Sequence, residues 1–419
     1  MTTAPPRLPA AGWLDAEPLA GVLAALDRDG EEARVVGGAV RNTLLGEPPG
    51  DIDIATTATP EEVMRRAVAA GFKAVPTGID HGTVTIVAAS RPFEVTTLRE
   101  DVETFGRKAT VAFGRDWTTD AWRRDFTMNA LSVSPDGTLH DPVGGLPDIA
   151  ARRVRFIGEP ARRIAEDHLR ILRFFRFHAF YGNGAFDPPS LKACIVARES
   201  LRGLSRERVR METLKLLIAP AAATTLQVMA ETGILQLVLG GIGRPWDFAA
   251  MVSREAALDQ PPDTTRRLAA LAVLVEEDAE RLHERLRLTN AEHRRLAAMA
   301  RQWRRLGTTT SEAAARALLY GLGPDAYVDR VLLAWSRAGS AAADDPAWRL
   351  LATLPVRWHA PRFPLRASAF MAYGLAGPAL GAAMKEAEAA WIEAGFPADR
   401  AALDRLVHAI AARADRRPD

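Results

Sequence analysis

The sequence predicts an α+β protein, with a mixed head of strands and helices over residues 1–150 followed by an all-helical neck (151–218) and a helical body and tail (219–419). Short strand-like segments separated by turn residues crowd the first third of the chain. Beyond Pro160, long Ala-, Leu- and Arg-rich stretches with helical spacing run to the end, broken by Gly, Pro and Thr clusters near 182–189, 260–265, 307–311, 340–346 and 354–364. The 419 residues, 48% hydrophobic and 25% charged, have globular composition and room for more than one core, which excludes disorder and fibrous repeats.

In chain order, Arg34 to Gly37 reads as a strand ending in a Gly-Gly turn, followed by the helical AVRNTLL. The alternating Asp51 to Ile54 reads as a second strand and Thr59 to Ala70 as a helix. TVTIVAA and RPFEVTTL read as two further strands. The polar stretch from Arg99 to Trp122 reads as a hairpin with a long loop, in which Gly106 and Gly114 would permit motion. From Ala151 to Lys215 there are 15 Lys and Arg against 7 Asp and Glu, a local +8 inside a chain of net +2; this block is a solvated helix face or a polyanion-binding patch.

The start MTTAPPRLPAAGW has no basic lead into an apolar run, and the chain has no uncharged apolar stretch of about 18 residues. The single cysteine, Cys194, forms neither an internal disulfide nor a cysteine-based zinc site. Together these predict a cytoplasmic protein. The only His-Asp pair, His140-Asp141, lies in a Gly-containing turn, so no metal phosphohydrolase arrangement is expected.

The chemistry concentrates in VVGGAVRNTLLGEPPGDIDIATTATP (Val35 to Pro60). Gly37 and Gly38 at a strand-to-helix junction make either a plain tight turn or one whose bare N–H groups meet a phosphate, with Arg41 one turn further on. Asp51 and Asp53 flank Ile52, so in a strand both carboxylates share a face while Ile52 and Ile54 point inward. Such a pair is a surface turn or a site for Mg²⁺, which takes hard oxygen ligands and completes its shell with water and phosphate. Glu94, in an otherwise apolar strand, is a water-facing edge residue or a third carboxylate of that site.

Taken in order, these stretches resemble the motifs of the class II tRNA nucleotidyltransferases and bacterial poly(A) polymerases: Gly37 to Arg41, Leu45-Gly46 with Asp51 to Thr56, His81 to Val84, Glu94 to Arg99, Arg123 to Leu131, Asp141 to Gly145 through Asp148, Glu166 to Phe177, and Ser205 to Glu212. Tyr373 to Gly381 and Trp391 to Phe396 resemble the tail of CCA-adding members. Asn42 stands where the family carries an acidic residue, and Trp122 where a smaller one is common.

The resemblance implies a nucleotidyltransferase-type head with a small mixed sheet, and addition of C, C and A to the 3′ end of tRNA from CTP and ATP. The alternatives are a poly(A) polymerase or a partial CC- or A-adding enzyme. Asp51, Asp53 and Glu94 are implied as catalytic, with Asp51 and Asp53 holding Mg²⁺. Gly38, Arg41, Arg124, Asp125, Asn129, Asp167, Arg170, Arg173 and Arg176 are implied as nucleotide-binding; neither a membrane nor a protein partner is implied. Asp167 and Arg170, three apart, are expected on one helix face. There a carboxylate accepts from the exocyclic amine of C or A while a guanidinium donates to the adjacent ring nitrogen, a pattern that U and G cannot match; an isolated pair of this kind is otherwise a surface salt bridge. Ile164, Leu172, Phe175 and Ala179 are expected in the core.

Overall fold

The computed structural model describes residues 6–105, 108–339 and 344–414. They form two compact units, Met1–Val238 and Leu239–Asp419. In the first, seven strands make one sheet: β1 (Ala33–Val36), β2 (Asp53–Thr56), β3 (Lys73–Gly78), β4 (Thr83–Ala88), β5 (Arg91–Thr97), and, after a separate hairpin of β6 (Arg99–Phe105) and β7 (Lys108–Phe113), β8 (Ser132–Val133) and β9 (Leu139–His140). Their spatial order is β3-β4-β5-β2-β1-β8-β9, antiparallel throughout except for the β2–β5 pair. The hairpin reading of the 99–122 segment agrees with β6 and β7; Gly106 lies outside the described residues.

Strand alternation divides the sheet into two faces. Ala33, Val35, Ile54, Val84 and Val95 are buried on one, against the helices Leu19–Leu26 and Pro60–Ala69. Thr59 caps the second of these through the Glu62 N–H, with Pro60 at its first turn. The opposite face carries Arg34, Val36, Asp53, Glu94, Ser132 and His140, because these residues pair in register across the strands: Val36 with Asp53 and Ser132, Asp53 with Glu94, and Ser132 with His140. The apolar part of this face is the small cluster of Val36, Ala55 and Leu98 with Trp117.

The neck helices pack on the head through aromatic rings. Phe126 lies 4.9 Å from Phe177 and 5.0 Å from Phe156, and Phe156 stacks on Phe174 at 5.5 Å. In the helix Arg170–Tyr181 the phenylalanines are interleaved with Arg173 and Arg176, so burying the rings fixes the rotation of the helix and thereby the directions of its cations. Ile164, Leu172, Phe175 and Ala179 are all buried, as expected.

The second unit is helical. Asp329, almost fully buried, receives bonds from Arg266 (3.0 Å) and Arg295 (2.6 Å), while buried Glu255 holds Arg266 and Arg267. In the tail, Trp391 packs edge-on against Phe396 at 5.0 Å and donates from its indole to Pro397 O, so the WIEAGF segment is a local core. No helix among the described residues is long and apolar enough to cross a membrane.

Candidate active site

The helix Gly38–Leu44 begins at a bend that only glycine makes cheaply: Gly37 has φ +67°, and its Cβ position would sit 3.4 Å from the Arg124 guanidinium. The bend brings Gly37 and Gly38 to the wall of a cleft of about 580 Å³, with Arg41, Asp53, Arg123, Arg124, Asp125, Asn129, Asp167, Arg170, Arg173 and Arg208 also on its lining. A second glycine is required at Gly145, where a Cβ would lie 2.4 Å from the Thr127 carbonyl; this close approach seats the Asp141–Gly145 turn under the short helix Thr127–Asn129.

Asp53 opens β2 and Glu94 stands directly beside it in β5, on the same face by register. Asp51 lies two residues earlier, just before the strand, and is exposed, while Ile52 between them is buried. Burial raises the Asp53 carboxyl above its ordinary range, Glu94 and Asp51 raise it further, and Arg124 works in the opposite direction. Concentrated like charge of this kind suits a hard cation. Among the described residues no group of three or more His, Cys, Asp or Glu side chains is arranged to hold a metal by itself, so a cation at Asp51 and Asp53 would complete its shell from water and phosphate oxygens.

Above the carboxylates, a chain of ion pairs and hydrogen bonds joins head to neck. Tyr181 OH accepts from Arg41 (2.8 Å) and its ring lies 3.8 Å below that guanidinium; Arg41 also donates to Asn129 Oδ1 (2.5 Å). Asn129 donates to Asp125, Asp125 receives Arg173 (2.5 and 2.8 Å), and buried Glu212 receives Arg176 at 2.5 Å with Arg173 at 3.9 Å. Burial opposes ionisation of Asp125, but the Arg173 charge and the bonds from Asn129, Arg173 and the Phe126 N–H outweigh it and hold the carboxyl below its usual range. Asp120 receives both Arg123 (2.6 Å) and Arg124 (3.1 Å).

The structure therefore brings Gly38, Arg41, Asp53, Arg124, Asp125, Asn129, Asp167, Arg170 and Arg173 to one cleft, with Glu94 in register beside Asp53. Asp51, Glu94 and Arg176 are not on the cleft lining. Arg41, on the lining, is buried and bonded to Asn129, Tyr181 and Asn42. Arg176 is bound to Glu212. Asn42, which departs from the family pattern, accepts from Arg41 and donates to Pro48 O and Pro49 O, tying the loop before β2 to the helix.

The expectation of Asp167 and Arg170 on one helix face is corrected. The helix Pro160–Glu166 ends before Asp167, which is extended (φ −153°, ψ 106°), and the next helix starts at Arg170. The cause is local: Asp167 Oδ1 accepts the Leu169 N–H at 3.1 Å, a side-chain turn that competes with helix continuation. Both residues still face the cleft, but Asp167 pairs with Arg208 (2.6 Å) and Arg170 with Glu166 (2.5 Å). Tyr181, Arg208 and Glu212 also shape the site; the sequence analysis places Arg208 and Glu212, four residues apart on one helix, in the Ser205–Glu212 motif without giving either a role. A second cleft, about 550 Å³, adjoins Arg124 on the same sheet face and is lined by Arg34, Trp117, Ser132 and His140.

This combination, a carboxylate-bearing mixed sheet joined to an arginine-lined helical neck, defines a nucleotidyltransferase-type head. Residues 33–155 match the family described as the poly A polymerase head domain, and residues 185–242 match the probable RNA and SrmB-binding site of polymerase A. The mitochondrial CCA tRNA nucleotidyltransferase 1 of Danio rerio is 40% identical over 279 residues, covering 65% of this chain and 64% of that protein. The CCA-adding enzyme of Geobacillus thermodenitrificans is 45% identical over 217 residues, 51% of this chain and 52% of that protein. The matched stretch thus spans less than two thirds of either relative. The Bacillus stearothermophilus CCA-adding enzyme solved with CTP superposes at TM-score 0.69 with 28% identity, covering 94% of this chain and 97% of that one. The Thermotoga maritima CCA-adding enzyme solved with tRNA superposes at 0.72 with 16% identity, over 97% and 100% of the two chains, a likeness of fold. Over these stretches the chain is similar to the family of poly(A) polymerases and CCA-adding tRNA nucleotidyltransferases. That family generally uses a divalent metal.

Proposed function

We propose that the protein adds C, C and A to the 3′ end of tRNA from CTP and ATP without a nucleic-acid template. The observation that carries this reading is the single cleft in which Asp53, beside Glu94, faces Asp167, Arg170 and Arg173. Asp51 and Asp53 would hold Mg²⁺, which would offset the negative charge of the triphosphate and favour ionisation of the attacking hydroxyl. Glu94 orients or deprotonates the 3′ hydroxyl of the tRNA. Gly38 offers backbone N–H to the triphosphate, and Arg41, braced by Tyr181, shapes that wall and adds positive charge behind it. Arg124, Asp125 and Asn129 set the ribose. Asp167 accepts the exocyclic amine of C or A and Arg170 donates to the neighbouring ring nitrogen, while Arg173 and Arg176 orient the neck. Positioning and charge neutralisation supply the acceleration. Residues 1–150 act as the catalytic head, 151–218 as the selecting neck and 219–419 as the tRNA-gripping body and tail. A cytoplasmic setting, where tRNA, CTP and ATP are all present, fits this reading.

Replacing Asp51 or Asp53 with Ala tests the assignment. Nucleotide incorporation into tRNA should vanish while tRNA binding stays near the parent level, since the basic neck meets phosphate without the metal. Substantial incorporation by either variant contradicts it.

A further inference from the structure

We propose that Arg208, in the helix Arg206–Leu217, is a positioning residue for nucleotide selection: its guanidinium grips one oxygen of Asp167 and fixes which lone pairs of that carboxylate face the cleft. The proposal rests on the reading of Asp167 as the acceptor of the base amine. Asp167 has no helix of its own to hold it, because it sits in the break between Pro160–Glu166 and Arg170–Tyr181. Two bonds fix it instead. Oδ1 accepts the Leu169 N–H at 3.1 Å and Oδ2 accepts Arg208 Nη2 at 2.6 Å. A carboxylate has about four acceptor positions, so about two remain for a ligand. Both side chains are about a third exposed, 31% and 30%, and both line the cleft, so the pair is open to a base. Arg208 is itself steadied, because its helix is anchored through buried Glu212 to Arg176 (2.5 Å) and Arg173 (3.9 Å).

The charge on Asp167 decides which bases it accepts. As a carboxylate it accepts from the amine of C or A and repels the carbonyl oxygen of U or G; as a carboxylic acid it donates to that oxygen. Burial favours the acid, but the Arg208 bond, the Leu169 N–H and the charges of Arg208 and Arg170 outweigh it and hold the group below its ordinary range. The charged groups around it are Arg208 and Glu212 from one helix, Arg170 and Arg173 from the next, Glu166 from the preceding helix, and Arg123 from the head. Removing Arg208 leaves Arg170 as the main counterion, so protonation, which removes the mismatch of UTP with Asp167 while that with Arg170 remains, should begin at a higher pH.

The test compares kcat/KM for CTP and UTP on tRNA lacking its 3′ end, across roughly pH 5.5 to 8.5, for the parent, Arg208→Gln, Arg208→Lys and Asp167→Asn. For Arg208→Gln we expect discrimination against UTP to fall about ten-fold or more at neutral pH, the worth of one charge-assisted hydrogen bond, and to fall further toward acid, while the parent profile stays flat. Arg208→Lys restores most of the selectivity and the flat profile. Asp167→Asn misincorporates at every pH. Parent-like selectivity in Arg208→Gln, or an activity loss equal for CTP and UTP with no acid-dependent component, overturns the role of Arg208 when Asp167→Asn does lose selectivity. If Asp167→Asn keeps selectivity, the base-reading assignment itself fails. Should Arg208→Gln not fold by circular dichroism, Arg208→Lys decides by the same profile: a fully parental one supports the cation grip, and loss of selectivity despite the retained charge contradicts it.

Discussion

Replacing Asp125 with Asn separates the head-to-neck tie from shape, because the amide keeps the size of the carboxyl and loses its charge. Asp125 is buried; Arg173 donates to it at 2.5 and 2.8 Å, and Asn129 and the Phe126 N–H also point at it. Breaking a fully buried pair costs about 3–5 kcal/mol. Arg173 is 32% exposed and keeps Glu212 at 3.9 Å, so solvent and the second acid absorb part of that loss, leaving about 2–3 kcal/mol. For a unit the size of Met1–Val238 this lowers its melting temperature by roughly 5–10 °C at neutral pH. The sign with pH follows from linkage. The Asp125 pKa is depressed in the fold, so its contribution is complete above the ordinary carboxylate range and is lost as pH falls through the folded value. The gap between parent and variant should therefore close in acid. Calorimetric melting of both proteins over a pH series measures it; a gap within about a degree at neutral pH, or one that does not shrink in acid, refutes the reasoning.

Asp53→Asn should abolish incorporation yet raise the melting temperature of the metal-free protein at neutral pH, since it removes a carboxylate whose ionised form is disfavoured by burial and by Glu94; a lower melting temperature contradicts this. Tyr181→Phe removes the 2.8 Å bond to Arg41 but keeps the stacked ring, so a loss of about 1 kcal/mol in stability and a rise in KM shared by CTP and ATP are expected, with selectivity between bases unchanged in steady-state assays. His178, stacked 3.6 Å from Phe186 and pushed down to about 4 by burial, stays neutral in the fold while the unfolded chain protonates; stability should fall from about pH 6.5 toward pH 4, and His178→Phe should show a shallower decline in denaturant titrations over that window. The Cys194 thiol is buried and raised above its ordinary pKa, so maleimide labelling should await unfolding.

Much of the site is written in local sequence. The Gly-Gly turn, the alternation around Ile52 and the strand containing Glu94 place Asp53 and Glu94 side by side on one sheet face once β2 and β5 pair, with Asp51 just before β2, and period-two burial carries that face through β1 and β8. The parallel β2–β5 pairing itself is not legible, because it joins strands separated by a helix and two further strands. Nor is the break at Asp167, where Glu166 to Arg176 reads as continuous helix and only a side-chain turn onto Leu169 interrupts it. The partners of the neck arginines lie far along the chain: Tyr181 is 140 residues from Arg41, Arg208 is 41 from Asp167 and Glu212 is 36 from Arg176. Local periodicity places a cation on a helix face but does not say which acid faces it across a fold.

End-sequencing of tRNA lacking its 3′ terminus, after incubation with the protein, Mg²⁺, CTP and ATP, tests the central claim most directly. The expected result is addition of C, C and A and then arrest, a single A added to tRNA already ending in CC, and almost no extension of the fully shortened tRNA by ATP alone. A long ladder of adenylates on unstructured RNA, formed as fast as the tRNA product, would contradict it.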